Sequence, residues 1–191
     1  MFANVTRGGV PEAPPWHHGL VRFFTRGWHQ GDLSDEEYEQ TVRDYDAHLE
    51  AISARLPDPV VALARGVNLH DAVIERVEWE PASARLVLRL VTRTSGSRQA
   101  VTLTYSDAML GDQRLDVLKN VARDRKTEIL YSEVDLGEDG VLAHRLLFWP
   151  RDELTIDFGT LTLELRPRAD DRVQLDPFFL EMPANADDDD E

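Results

Sequence analysis

Apolar residues recur along this chain with two different periods, and the change of period divides it. From Ser34 to Pro57 the segment "SDEEYEQTVRDYDAHLEAISARLP" places Tyr38, Thr41, Val42, Tyr45, Leu49, Ile52 and Leu56 three or four residues apart, which is one stripe along an α-helix. Ser34 with Glu37 three residues later forms a capping box, and Asp35, Glu36 and Glu37 suit the positive end of the helix dipole. A second, short helix is predicted at "PVVALARG", with Pro59 in its first turn and Gly66 closing it in the left-handed conformation.

Beyond Gly66 the period becomes two. Val73, Val77 and Trp79 alternate with Ile74, Arg76 and Glu78, then Leu86, Leu88 and Leu90 with Val87, Arg89 and Val91, then Val101, Leu103 and Tyr105 with threonines, predicting three strands separated by turns. "SDAMLGDQRLDVLKNVARDRK", residues 106–126, interrupts with a polar, partly helical pattern. Strand alternation resumes in "TEILYSEVDL", "VLAHRLLFW" and "LTIDFGTLTLELRP". In the last run the apolar parity changes at Gly159, and a bulge at Gly159 and Thr160 would return all six apolar residues to one face. The expected fold is therefore α+β: an antiparallel meandering sheet of about six strands, with one long and one short N-terminal helix packed on one face. "GLVRFFTRGWH", residues 19–29, reads as a strand or a packed extended piece.

The ends differ from this core. Residues 1–15 hold two glycines and three prolines and are expected to form a flexible arm, residues 16–182 a single domain, and residues 183–191 a disordered acidic tail. Over 191 residues, 21 Lys and Arg face 36 Asp and Glu, a formal charge of −15, of which the terminal Asp187–Glu191 supply five. Such a balance argues against a surface that neutralises nucleic-acid phosphates or anionic membranes; it serves solubility first and is compatible with a basic protein partner. The chain has no cysteine, so disulfides, thiolate metal sites and cysteine nucleophiles are excluded. With no apolar run of spanning length and no secretory pattern, a soluble cytoplasmic protein is expected.

Candidate chemistry is sparse. There is neither a G-x-S-x-G elbow nor a phosphate-binding glycine loop, and no cofactor is predicted. His70-Asp71 stands at the corner before the first strand, where Asn68 and Asp71 have short side chains suited to bonding nearby amides. His144 shares the parity of Leu142, Leu146 and Phe148, which puts an imidazole on an apolar face, where it needs partners such as Glu133 or Asp71. Were His70, Asp71, Glu133 and His144 to converge, they would offer a zinc site and a metal-dependent hydrolase; none of the close ligand pairs that mark zinc sites is present. Trp16 and Trp28, near His17, His18 and His29, are candidates for an aromatic binding contact or for covering the edge of the core.

The run "FFTRGWHQGDLSDEEYEQ…HLEAISARLP", followed by "LHDAVI", "LTY" and "ILYSEV…HRLLFWPRDELTIDF", resembles a group of uncharacterised bacterial proteins, over Phe24 to Phe158. The resemblance implies an intracellular α+β domain and lends no activity to any residue. Some similar small acidic domains look like immunity proteins, which inhibit a toxin by covering its active site. Two functions follow as expectations: a non-catalytic binding, immunity-like or regulatory protein with an acidic surface, and, as the alternative, the metal-dependent hydrolase.

Overall fold

The computed structural model describes residues 21–94, 97–137 and 139–168. The expected arm, Trp16, the neighbouring His17 and His18, and the acidic tail lie outside them. The first element among the described residues is a short helix, α1 (Arg26–Gln30), followed by α2 (Asp35–Ser53) and α3 (Asp58–Gly66). Then come β1 (Val73–Glu80), a 3-10 turn at Pro81–Ser83, β2 (Arg85–Thr94), β3 (Ser97–Ser106), α4 (Asp112–Arg123), β4 (Glu128–Leu136), β5 (Leu142–Trp149), β6 (Glu153–Phe158) and β7 (Thr160–Arg168). This is an α+β fold with antiparallel pairing throughout.

The helices begin where the caps direct. In α2 both halves of the capping box form: the Ser34 hydroxyl accepts from the Glu37 amide, and the Glu37 carboxylate accepts from the Ser34 amide at 2.9 Å. The segment expected to be extended is instead interrupted by α1, because the Thr25 hydroxyl accepts from the Trp28 amide and Gly31 ends the turn at φ 77°. Gly66 differs from expectation too. It is the last residue of α3, and the chain leaves through extended Val67 with no left-handed cap.

The strands form two sheets, one ordered β1-β2-β3-β7 and the other β4-β5-β6, where one meander was expected. The parity change at Gly159 has a different cause from a bulge within one face. β6 pairs with β5, β7 pairs with β3, and Gly159 is the point where the chain crosses between sheets. A side chain there would be crowded, since a Cβ would stand 2.9 Å from the Asp107 carboxylate. The sheets are also stitched by bridges between Ala72 and Ile129 and between Met109 and Asp157.

Between the sheets lies the core. Leu86, Leu88, Leu90, Val101, Leu103 and Tyr105 meet Ile129, Val134, Leu146, Phe148, Ile156 and Phe158, with α2, α3 and α4 adding Leu49, Ile52, Val60, Leu63 and Leu118. The two N-terminal helices predicted from the sequence, α2 and α3, both lie against β4, α3 also against β7, and α4 lies against β1 and β6. The central strand β5 is buried continuously from Leu142 to Phe148, which makes both of its faces interior.

An aromatic and acidic face as the candidate functional site

The corner at His70-Asp71 is built largely by backbone groups. The Asn68 side chain accepts from the His70 amide at 2.9 Å, as expected of a residue closing a turn. Asp71 contributes differently: it takes the left-handed conformation at φ 60°, and its amide donates to Ile129 at 2.9 Å, tying the corner to β4. Its carboxylate lies 2.9 Å from His70 Nδ1, and both side chains are exposed.

Glu133 is fully buried and already occupied. Its carboxylate accepts from three successive amides, Arg22 at 2.8 Å and Phe23 and Phe24 at 2.7 Å. His144, also fully buried, faces the other way. It is paired with Val134, the residue after Glu133, and neighbours along a strand point to opposite sides of the sheet. Its Nδ1 bonds the Tyr105 hydroxyl at 2.7 Å, and burial pushes its pKa down to about 3, so the ring is neutral.

The four residues considered for a metal are therefore split between an exposed corner, an interior clamp and the core, and among the described residues no group of three or more His, Asp or Glu is placed to hold a metal ion. The expected parity between Ile129 and Glu133 fails because the β4–β5 register shifts between Ile129 and Tyr131, turning Tyr131 and Glu133 to the face of the sheet opposite Ile129.

What the buried charges do is hold a surface in place. Beside Glu133, Asp135 accepts from Arg145 at 2.8 Å, Arg22 at 3.1 Å and the Leu136 amide at 2.8 Å, and meets His48 Nε2 at 2.9 Å. Burial alone would raise its pKa; the Arg145 hydrogen bond and charge, the amide and His48 outweigh burial and hold the carboxyl below its usual range. Together Glu133 and Asp135 fasten residues 22–24, and Arg26 completes the attachment by donating to the carbonyls of Phe148 at 3.0 Å and Pro150 at 2.9 Å. α1 is thereby fixed across the end of β5.

Trp28 and His29 on α1 then join a continuous run of rings. Trp28 stacks on Tyr38 with centroids 4.2 Å apart and meets Tyr131 edge-on at 4.7 Å. His29 stands 5.9 Å from Tyr131 and 6.1 Å from Trp149, and His70 stands 5.3 Å from Tyr131. Burial, with Tyr38 and Asp71 adding to it, raises the Tyr131 pKa, so its hydroxyl stays protonated. Trp28 itself is buried and forms the floor, while Tyr38 and Trp149, each almost half exposed, form the outer part. Leu33 and Val42, which precede and follow Tyr38 in the chain, are also exposed.

Thus the stripe of α2 is only half used. Tyr45, Leu49 and Ile52 are buried, whereas Val42 and Tyr38, about one and two turns before Tyr45, are exposed. Around them α2 carries seven acids, including Asp35, Glu36, Glu39 and Asp44, against one arginine. Sequence reasoning singled out Trp28, His29 and His70 but missed Tyr38, Tyr131 and Trp149. The available signals were the apolar stripe running on into the acidic first turns of α2 and the outward shift of Tyr131 by the bulge, of which only the first is visible without a structure.

Fold and face together define a two-sheet α+β domain with a clamped N-terminal helix and an aromatic, acid-rimmed surface. A family model for proteins of unknown function, DUF4085, matches residues 16–158. The chain belongs to that family, and every residue of the aromatic face lies within the matched span. No curated protein and no solved structure matches it. Among the described residues no helix is long and apolar enough to cross a membrane.

Proposed function

We propose that this protein is a non-catalytic binding protein, immunity-like or regulatory, that covers a basic partner with the face around Tyr38, Val42 and Trp149. The observation that carries this reading is the exposed half of the α2 stripe: large apolar side chains surrounded by carboxylates. Aromatic anchors give an interface its affinity, and a ring of like charge gives it orientation and rate. Acids that repel one another around an apolar patch suit a partner bringing lysines and arginines around an apolar centre. Two partners able to form about 800 Å² of contact each would make a stable complex, and the rings from Tyr38 to Trp149 provide the central part of such an area.

The test uses the full chain as bait in its native lysate, beside a Tyr38→Ser/Val42→Ser variant shown by its melting curve to be folded. The expected result is a basic protein retained by the natural chain at low salt, lost at roughly 0.5 M salt, where exposed charges are screened, and absent from the variant. Equal retention by both chains, or retention indifferent to salt, would reject the reading.

A further inference from the structure

One ring of the aromatic face is arranged to take a flat cation. The Trp28 indole lies under one face of Tyr38, with centroids 4.2 Å apart and planes 12° from parallel. Trp28 is buried, so the lower member of this stack is fixed, while Tyr38 is 44% exposed. Among the described residues Tyr38 makes no second ring contact, and its hydroxyl makes no hydrogen bond. The opposite face of its ring is therefore presented to solvent on a rigid base.

The surroundings of that face follow from α2. Side chains on a helix lean toward its N-terminus, so the Tyr38 ring covers the turn that holds Asp35, three residues back. Asp35 is exposed, and among the described residues no cation pairs with it. By contrast, Glu37 is held by the cap, Glu39 by Arg43 at 3.2 Å and Asp44 by Gln40 at 2.7 Å. Four residues beyond Tyr38, Val42 is exposed as well. Asp35, Tyr38 and Val42 thus form one line about 10 Å long, offering a carboxylate, an aromatic face and an apolar step in that order. The helix end opposes a cation with about half a unit of positive charge, and the three carboxylates of the first turn, Asp35, Glu36 and Glu37, exceed it.

We propose that this line seats an arginine side chain of the basic partner: the guanidinium lies flat on the outer face of Tyr38, its edge donates to Asp35, and its methylene stem packs on Val42. A guanidinium is planar, weakly hydrated and ringed by N–H donors, so it stacks on an aromatic face and pairs with a carboxylate at once. The ammonium of lysine is a compact, strongly hydrated charge, which gains most where rings enclose it. Tyr38 offers one open face and no enclosure. The inference rests on the reading of this face as a binding surface, and it adds which side chain the surface selects.

The full chain is titrated with a blocked glycine–arginine–glycine tripeptide, and separately with its lysine counterpart, at roughly 0.15 M salt, and the amide and tyrosine ring signals are followed. The arginine peptide should shift Asp35, Tyr38 and Val42 saturably and bind at least about twofold tighter than the lysine peptide. Tyr38→Leu, folded by its amide spectrum, should weaken binding about two- to fivefold, the worth of an exposed cation–π contact. Tyr38→Phe, which restores the ring without the hydroxyl, should recover it. Asp35→Asn should weaken binding more than Asp46→Asn, which removes the same charge about 16 Å further along α2. Equal binding of the two peptides, indifference to loss of the Tyr38 ring, equal effects of the two Asn variants, or shifts centred on another surface would each overturn the proposal. Failure of the arginine peptide to bind overturns it whatever the lysate yields, while a basic protein captured nonetheless leaves the broader reading of the face standing.

Discussion

His144 and Tyr105 form a polar pair sealed in an apolar core, and its consequence is a dependence of stability on acid. The folded-state pKa of His144 is about 3, below the 6.5 usual for the free group. Between those values the unfolded chain binds a proton that the folded chain does not, so stability contributed by this group is present above pH 6.5 and is lost as pH falls toward 3. Urea unfolding at pH 7 and pH 4 should show the natural chain losing a few kcal/mol more than a Tyr105→Phe/His144→Leu double variant, since Asp135 and other carboxylates affect both chains alike. At pH 7 the double variant should be close to neutral, because both polar partners are removed together, whereas Tyr105→Phe alone should cost about 1–3 kcal/mol by orphaning the imidazole. Glu133 supports a second prediction. Glu133→Gln replaces a charged acceptor of three amides with a neutral group and should cost about 2–3 kcal/mol, with faster hydrogen exchange at Arg22, Phe23 and Phe24. The sequence revealed that His144 lies on an apolar face. It did not reveal the partner, because Tyr105 is 39 residues away in another sheet and the bulge in β4 turns Glu133 to the far side.

At the scale of elements, those with local chemistry were legible and those joined at a distance were not. The start of α2 follows from Ser34 and Glu37 alone, and Ser34→Ala should cost about 1 kcal/mol by melting. The division into two sheets was written only as the parity change at Gly159, which a bulge or a crossing explains equally well until the pairing partners are known. Gly159 now has a specific test. Gly159→Ala places a methyl group 2.9 Å from Oδ2 of Asp107 and 3.1 Å from its Cβ, where the backbone of Asp107 is already left-handed at φ 53°. The single variant should be destabilised by about 1–3 kcal/mol through overpacking, and the Asp107→Gly/Gly159→Ala pair should recover most of that loss, since glycine removes the clashing side chain and accepts the left-handed backbone. Similarly, the aromatic run "FFTRGWHQG" reads as extended, although the Thr25 cap and the Gly31 stop of α1 are both present in it.

At the scale of the whole molecule, charge is sorted onto different surfaces: seven acids against one arginine on α2, and seven arginines against four glutamates on the four-stranded sheet. Net charge alone showed the sign and not this division, which depends on sheet order and on the register that aligns Arg98 with Arg168. If the acid-rimmed face on α2 meets a basic partner, changing Asp35, Glu36 and Glu39 to their amides should slow association about tenfold at low salt and have little effect at high salt; stopped-flow mixing measures both. Glu37 is left intact there because it caps the helix.

The most direct test is a photoreactive residue at position 38 in the native cell, beside a control at Lys119 on the exposed side of α4. The binding face predicts a covalent adduct with a basic protein from position 38, reproduced from position 42 and absent from position 119. No adduct from 38 or 42, or the same adducts from 119, would contradict it.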